Sequence, residues 1–590
     1  MNAIETLQKL MIKHSLYAYV IPTADFHQSE YVSAYFKSRE YLSGFTGSAG
    51  TLVVTPYKAY LWVDGRYFIQ AENEIKDTNI SLMKIGQPGV PTIIEFLKDI
   101  LKGDLKLGFD AKTISTSEYM NYQKIIGQNN LVDIDLVSGI WVNRPRLPFS
   151  MLYSLPEYII GESSSSKILK IREKLKDSRA KMHILTSLED QAWLFNLRAD
   201  DVSHTPVFLS YTIITLSEVY LFIDRNKLNP SVSKILEDLK VNVLDYEDIY
   251  DFLHSITGNT VMLDPNKVNA KIYNNIADKN TIIFRQNPTI LLKAIKNPIE
   301  IKNTKIAHEY DGVAITRLMR YLKTRAGLEE MTELSVSDYL EKLRRSNKNL
   351  IDLSFNTICA YNANAAMMHY SATPLNNSII HNSGMLLIDS GGHYLQGSTD
   401  ITRTISMGNP TNEEKKFFTT VLKSMINLSD TIFIHGCTGQ NLDIKARGPI
   451  WKLGIDYKCG TGHGIGHILS VHEAPNGFRW QIVPERLDSS VLLPGMITTN
   501  EPGIYLEGKL GIRIENELLC VPHIQNEWGT FYKFETITYA PIDLDLVDPS
   551  LLDFDEINWL NDYHESVYQK LQSYLSEDER EWLREYTRKI

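Results

Sequence analysis

The chain has 590 residues, enough for three or four domains at about 150 residues each. Apolar residues make up 43% and charged residues 22%, proportions that exclude a disordered, collagenous or coiled-coil chain. Its 61 Lys and Arg against 71 Asp and Glu leave a formal net charge of −10, which argues against nucleic acid as the main partner. The four cysteines, Cys359, Cys437, Cys459 and Cys520, contain no CxxC pair, so neither a disulfide-stapled fold nor a zinc ribbon is expected. Glu5, Lys9 and Lys13 interrupt Leu7, Leu10 and Met11, which denies the N-terminus a secretory apolar core. No apolar run reaches the length of a membrane span. The expectation is a cytoplasmic protein without a membrane partner.

In chain order, residues 4–14 carry helical spacing, and Tyr17-Ala18-Tyr19-Val20-Ile21 reads as a buried strand stopped by Pro22. A second strand, Ala59-Tyr60-Leu61-Trp62-Val63, runs into Asp64-Gly65-Arg66. The pattern recurs downstream. A helical stretch near 168–180 precedes Met182-His183-Ile184-Leu185, and Val219-Tyr220-Leu221-Phe222-Ile223 runs into Asp224-Arg225. Two related α/β domains in tandem account for this. Arg144-Pro145-Arg146-Leu147-Pro148 marks the break between them, since two prolines stop both helix and strand. A third unit starts at Asn297-Pro298, with Pro298 in the first turn of a helix presenting Tyr310, Val313, Ala314, Leu318, Tyr321 and Leu322. Near the C-terminus Leu560, Tyr563, Val567, Leu571 and Leu575 form a helical stripe. The expected domains are 1–147, 148–297 and 298–590.

The third domain concentrates chemistry at strand ends. Met385-Leu386-Leu387-Ile388 ends on Asp389, and Asp400 precedes Ile401-Thr402-Arg403-Thr404-Ile405. A hairpin brings both carboxylates to one end of a sheet. His463 lies in Thr461-Gly462-His463-Gly464, where small neighbours leave room for an ion. Glu501 follows Met496-Ile497-Thr498-Thr499, and in Gly511-Ile512-Arg513-Ile514-Glu515 alternation puts Arg513 and Glu515 on one face. Four carboxylates and one imidazole cannot stay ionised together inside a fold without cations. Two divalent ions satisfy them, with Asp400 and Glu515 as bridges, and manganese, cobalt, iron and zinc all suit such ligands. A water between two such ions is acidified into a nucleophile.

Several motifs together resemble one family. Asp25-Phe26-His27-Gln28-Ser29-Glu30-Tyr31, Gly44-Phe45-Thr46-Gly47-Ser48-Ala49-Gly50, Asp64-Gly65-Arg66-Tyr67-Phe68 and Trp193-Leu194-Phe195-Asn196-Leu197-Arg198 lie upstream. Downstream come Asp389-Ser390-Gly391, Thr399 to Thr404, Gly460 to Gly466, Val471-His472-Glu473, Glu501-Pro502-Gly503 and Gly511 to Glu515. In this order they resemble the pita-bread-fold metallopeptidases, and within them the cytosolic three-domain Xaa-Pro aminopeptidases. The resemblance implies an α/β and α+β multidomain chain: two creatinase-N-like α/β domains, then a pita-bread catalytic domain. It implies a dinuclear site, usually manganese, on Asp389, Asp400, His463, Glu501 and Glu515. His369 and His472 are then substrate-facing histidines, Glu501 also handles a proton of the attacking water, and Arg513 organises the site. The implied substrates are peptides beginning Xaa-Pro, and the implied assembly is a homodimer.

Cys459 departs from that pattern, because the family commonly has histidine four residues before its metal-binding histidine. A thiol is a poor hydrogen-bond partner, so contacts on the proline side come into question. Competing motifs fail: an HExxH helix starting at His472 would need histidine where Asn476 stands, and the GxGxxG frame falls on Ile465 or His467. His393 and His467 are read as surface residues or supports behind the ligands. Arg66 is open between a structural ion pair and a reach into a neighbouring subunit's site. A prolidase-type Xaa-Pro dipeptidase is the nearest alternative, and a ligand-depleted binding module is disfavoured because no ligand is lost.

Overall fold

The computed structural model describes residues 3–483 and 488–590; residues 1 and 2 of the expected first domain lie outside these. The chain forms two compact units, Met1–Pro156 with Glu162–Ile290 and Glu157–Gly161 with Leu291–Ile590. The expected boundary at 147/148 falls inside the first unit, and that at 297/298 lies just inside the second.

The first unit holds the same sheet twice. One six-stranded sheet runs in the order Ile80–Lys84, Ala59–Val63, Thr51–Val54, Leu16–Pro22, Lys106–Phe109, Leu131–Asp133. The other runs Val241–Leu244, Val219–Ile223, Ser210–Thr215, Met182–Leu185, Thr260–Leu263, Thr281–Phe284. In both, the fourth strand of the order pairs antiparallel with the third and parallel with the fifth. The tandem repeat read from the sequence is thus a repeat of topology. Along Leu16–Pro22, Tyr19 and Ile21 enter one apolar cluster with Leu52 and Phe45, while Ala18 and Val20 enter another with Trp62 and Phe109. A strand buried on both faces reads as a continuous apolar run.

The first motif latches the two repeats together. Asp25 accepts the amides of His27 and Ser29 at 2.8 and 3.0 Å. His27 is wholly buried. Its Nδ1 donates to the Thr186 carbonyl at 2.9 Å, and its Nε2 lies 2.7 Å from the Tyr246 hydroxyl. Within this chain the Arg66 guanidinium donates to both Asp64 oxygens at 2.9 and 2.8 Å.

The second unit is organised on the helix Pro298–Arg325. Asn297 accepts the amides of Ile299 and Glu300, Glu300 reaches back to the Asn297 amide, and Pro298 occupies the first turn. Val313, Leu318, Met319 and Leu322 are buried, and so are the polar Thr304, His308 and Asp311. A three-stranded sheet orders Ile358–Tyr361, Met385–Ser390, Ile401–Ser406. A six-stranded sheet orders Ile432–Ile434, Gly529–Thr536, Asn516–Asn526, Ile497–Asn500, Gly462–Gly464, Glu473–Phe478.

Two elements differ from the sequence reading. The C-terminal stripe spans two elements: the helix Phe554–Leu571 ends first, and Leu575 follows a 3-10 turn, though all five stripe residues are buried. The expected single strand through Gly511–Glu515 is broken. Leu510–Arg513 pairs with Gly503–Leu506, and Asn516–Asn526 joins the six-stranded sheet, so Ile514 and Glu515 form the link where the chain changes partners. Alternation survives the break, because Ile512 and Ile514 both enter the core.

His183, in Met182–Leu185, is fully buried with Nδ1 3.1 Å from the Met262 carbonyl, and burial lowers its pKa from 6.5 to about 4. The unfolded imidazole takes up a proton below its ordinary pKa that the folded one refuses until about pH 4. Stability present above that window is therefore lost as pH falls through it, at about 1.4 kcal/mol per pH unit. In denaturant unfolding, the advantage of the native chain over His183→Asn should shrink by about 2 kcal/mol from about pH 7 to about pH 5. An advantage constant with pH would mean that the folded imidazole is charged.

Candidate active site

Asp389 and Asp400 come to one sheet end as the hairpin reading required: Asp389 pairs with Thr402 and Ser390 with Ile401. The connection is more than a turn, since Gly392–Tyr394 pairs with Gly397–Ser398 on one side and with Leu350–Leu353 on the other. His463 sits mid-strand in Gly462–Gly464, with its amide donating to Thr499 Oγ1 at 3.0 Å. The glycine before it serves its neighbours rather than an ion. A Cβ on Gly462 would lie 1.8 Å from the Thr499 carbonyl oxygen, so the adjacent strand can approach only a bare backbone. Glu501 follows Ile497–Asn500, and its amide donates to the Thr461 carbonyl at 2.8 Å. Glu515 is fixed at main chain and side chain: its amide donates to the Thr402 carbonyl at 3.1 Å, and Thr402 Oγ1 donates to its Oε2 at 2.7 Å.

Asp400, His463 and Glu515 each direct a ligand atom into one space, all within 4.8 Å of one another. His463 Nε2 lies 3.5 Å from Asp400 Oδ2 and 3.4 Å from Glu501 Oε1. Its Nδ1 lies 3.0 Å from the Gly464 carbonyl. A carbonyl only accepts, so Nδ1 carries the proton and the Nε2 lone pair faces the carboxylates. Asp389 gives Oδ2 to Arg513 Nη2 at 2.6 Å.

Burial and mutual repulsion dominate the electrostatics. Burial first, then Glu515, Asp389 and Glu501, pushes Asp400 far above the usual carboxylate range. Burial, then Glu501 and Asp389, does the same to Glu515. Burial also raises Glu501, against the opposing pull of Arg513 and His472. Burial opposes charge on Arg513, but Tyr505, Asp389 and Glu501 outweigh it and hold its proton firmly. Among the described residues, Asp389 Oδ1 and Asp400 Oδ1 are buried without a hydrogen-bond partner. Buried carboxylates with unpartnered oxygens, grouped with an imidazole nitrogen, suit hard or borderline divalent ions.

His472 stacks edge-to-face on His463, with ring centroids 4.3 Å apart at 80°. His369 is half-buried in the turn after the 3-10 helix Asn362–Ala366, next to buried Tyr370. Arg513 ties the site together, donating to Asp389, to Thr402 Oγ1 at 3.1 Å and to the Tyr505 hydroxyl at 2.8 Å. Cys459 packs against the same apolar cluster as Tyr505; burial, then Glu501, pushes its thiol up to about 12, so it stays protonated. His393 and His467 are both buried, which excludes the surface reading. Glu473 is occupied by Lys296 and Lys293 at 2.5 and 3.4 Å. The sequence reading missed Thr402 and Tyr505. Thr402 shares a strand face with Asp400 by simple alternation, whereas Tyr505 reaches the site only through a pairing no local pattern reveals.

The sequence model of Metallopeptidase family M24 matches residues 302–522, and that of the C-terminal region of peptidase M24 matches 530–590. Two models of the Creatinase/Prolidase N-terminal domain match 4–140 and 143–300. A probable Xaa-Pro aminopeptidase P from Coprinopsis cinerea is 37% identical, over 99% of this chain and 97% of its own. Xaa-Pro aminopeptidase 1 of Dictyostelium discoideum is 36% identical, over 96% and 92%. The crystal structure of X-prolyl aminopeptidase from Caenorhabditis elegans, described as a cytosolic enzyme with a di-nuclear active site, matches at a TM-score of 0.94 and 33% identity over the whole of both chains. The chain belongs to metallopeptidase family M24, among its Xaa-Pro aminopeptidases, with two creatinase-type N-terminal domains ahead of a pita-bread catalytic domain.

Proposed function

We propose that this chain is a metal-dependent aminopeptidase that releases the N-terminal residue from peptides with proline in the second position. The observation that carries the reading is the buried convergence of Asp400, His463 and Glu515, with carboxylate oxygens left unpartnered beside them. Asp389, Asp400, His463, Glu501 and Glu515 are the residues that would hold two divalent ions, manganese by preference, with Asp400 and Glu515 shared between them. When bound, the ions supply Lewis acidity to the scissile carbonyl and acidify water.

The chain's own residues do the rest. Glu501, raised by burial and steadied by Thr499 Oγ1 at 3.2 Å, accepts the proton of the attacking water and passes it towards the leaving proline nitrogen. His472 and His369 donate to oxygen charge developing on the carbonyl. Arg513 fixes the orientation of Asp389. An Xaa-Pro bond lacks an amide N–H and carries a restricted ring, so a dedicated cleft is needed where a general peptidase has none. The nematode relative's cytosolic description supports a cytoplasmic setting. A homodimer through the C-terminal domain fits the exposed Ile432, Ile434 and Ile524 on strands of one sheet and Trp528 in the turn between two of its strands.

Elemental analysis of active protein should find two divalent ions per chain, and light scattering of the same sample should find two chains per particle. Chelation should abolish hydrolysis and manganese should restore it. Because Asp400 and Glu515 are raised acids, the folded apo protein keeps protons the unfolded chain has lost, an advantage present at low pH and lost as pH rises through the folded values. Ion binding must displace those protons, so the heat of manganese binding should vary with the buffer's ionisation enthalpy. Full activity at one ion per chain would defeat the two-ion site.

His472→Ala should lose rate about 100- to 1000-fold, the usual worth of a donor aimed at an oxyanion, with metal content unchanged. Loss of an ion instead would make His472 a ligand.

Cys459→His restores an imidazole beside Glu501 and Tyr505, and should change KM for Xaa-Pro-Xaa tripeptides more than kcat, as uniform binding does. The native chain should cleave such tripeptides in preference to Xaa-Pro dipeptides and to Xaa-Ala peptides. A kcat effect at constant KM would assign position 459 to the transition state, and equal turnover of Xaa-Ala peptides would end the proline assignment.

A further inference from the structure

The main chain at Asp400 is held from behind by two buried carboxylates. The Asp400 amide donates to Glu517 Oε1 at 2.9 Å. On the preceding residue, Thr399 Oγ1 donates to Asp311 Oδ2 and accepts the Gly392 amide, each at 2.9 Å. Asp311 lies on the helix Pro298–Arg325, and His308, one turn earlier on the same face, brings Nε2 to 3.0 Å from Glu517 Oε2. The side chains of His308 and Glu517 are both at 0% exposure. Neither Nε2 nor Oε2 makes a directed hydrogen bond, so this contact is one of charge and dipole. Glu517 reaches the position because it stands two residues after Glu515, and residues two apart along an extended chain face the same side.

A fifth buried carboxylate beside four others is costly, and Asp400 already feels it among the charges that raise its own acid. Its geometric use is specific. It is the acceptor for the amide of the residue assigned as a shared ligand, and that bond fixes the residue's main chain. We propose that Glu517 and His308 form a positioning pair that fixes the Asp400 main chain, and through it the carboxylate shared between the two ions. The proposal rests on the ligand assignment above. Neither residue touches substrate. Outer partners of metal ligands govern ion affinity through ligand orientation, which is the effect expected here.

The test is titration of the metal-free chain with Mn2+ against a competing fluorescent chelator, with thermal melts of the apo proteins and with kcat and KM at saturating Mn2+. Glu517→Ala should bind Mn2+ about 10- to 100-fold more weakly and lower kcat with KM little changed. Glu517→Gln should recover most of the loss, since its carboxamide oxygen still accepts the Asp400 amide and its NH2 faces His308. Wild-type Mn2+ affinity in Glu517→Ala, or equal impairment of the Ala and Gln variants, overturns the proposal. If Glu517→Ala fails to fold, His308→Gln carries the same titration: weaker Mn2+ binding is expected, and unchanged binding overturns it. A native chain that binds no Mn2+ would instead overturn the ligand assignment itself, a result distinct from any difference between variants.

Discussion

Asp400 and Glu515 lie almost out of contact with water, and Asp389 and Glu501 add two more carboxylates within Coulombic range. Two unit charges ~4 Å apart repel by about 4 kcal/mol at an effective dielectric constant of about 20. A few such pairs rival the ~5–15 kcal/mol that holds a domain folded. The cluster is therefore viable only when protons or cations answer its charge. Arg513 answers one carboxylate directly, while burial and mutual repulsion push the acids of Asp400 and Glu515 far above the usual carboxylate range, so their charge is left for protons or cations to answer. A protein that builds such repulsion into its centre has built a demand for cations.

The scaffold meets that demand by drawing its groups from different sheets. Asp389 and Asp400 lie at strand ends of the three-stranded sheet, His463 lies in the six-stranded sheet, Glu501 follows one of its strands, and Glu515 sits where the chain passes between partners. Arg513 then spans the pieces through Asp389, Thr402 and Tyr505. Close backbone approach at Gly462 lets neighbouring strands bring His463 and Glu501 into the same space. Each of these five side chains is thus positioned by long-range pairing, and none by a local turn alone.

That origin explains what the sequence disclosed. The strand ending on Asp389, the tandem α/β repeat and the start of the long helix at Pro298 were legible because local periodicity, capping and turn chemistry specify them. The break between Arg513 and Asn516 was not, because alternation of apolar and polar residues continues unbroken through a change of strand partner. For His393 and His467 the sequence left a surface position and a support behind the ligands both open, because their burial depends on elements far away in the chain. Tyr505 and His308 were invisible for the same reason: nothing near them in sequence announces the residues they meet.

Burial alone does not distinguish a ligand carboxylate from a structural one in this fold. Asp311 is as buried as Asp400, but Arg344 and Tyr394 donate to one of its oxygens or the other, and Arg344 and Thr399 complete the set. Glu333 is likewise satisfied by the amides of Tyr361 and Ser378, by Asn364 and by the Tyr370 hydroxyl. A carboxylate accepts about four hydrogen bonds, so these two have no capacity left for an ion. Asp400 Oδ1 and Asp389 Oδ1 retain theirs, among the described residues. The saturated carboxylates shape the frame: Glu333 anchors the segment that carries His369, and Asp311 holds the residue before Asp400. Spare capacity alone is not enough, since Glu517 Oε2 and Asp25 Oδ2 are also buried without a hydrogen-bond partner. What sets Asp400 apart is that its spare oxygen coincides with the convergence of His463 and Glu515 ligand atoms on one space, and that coincidence is what makes one part of a rigid core a place where chemistry can occur.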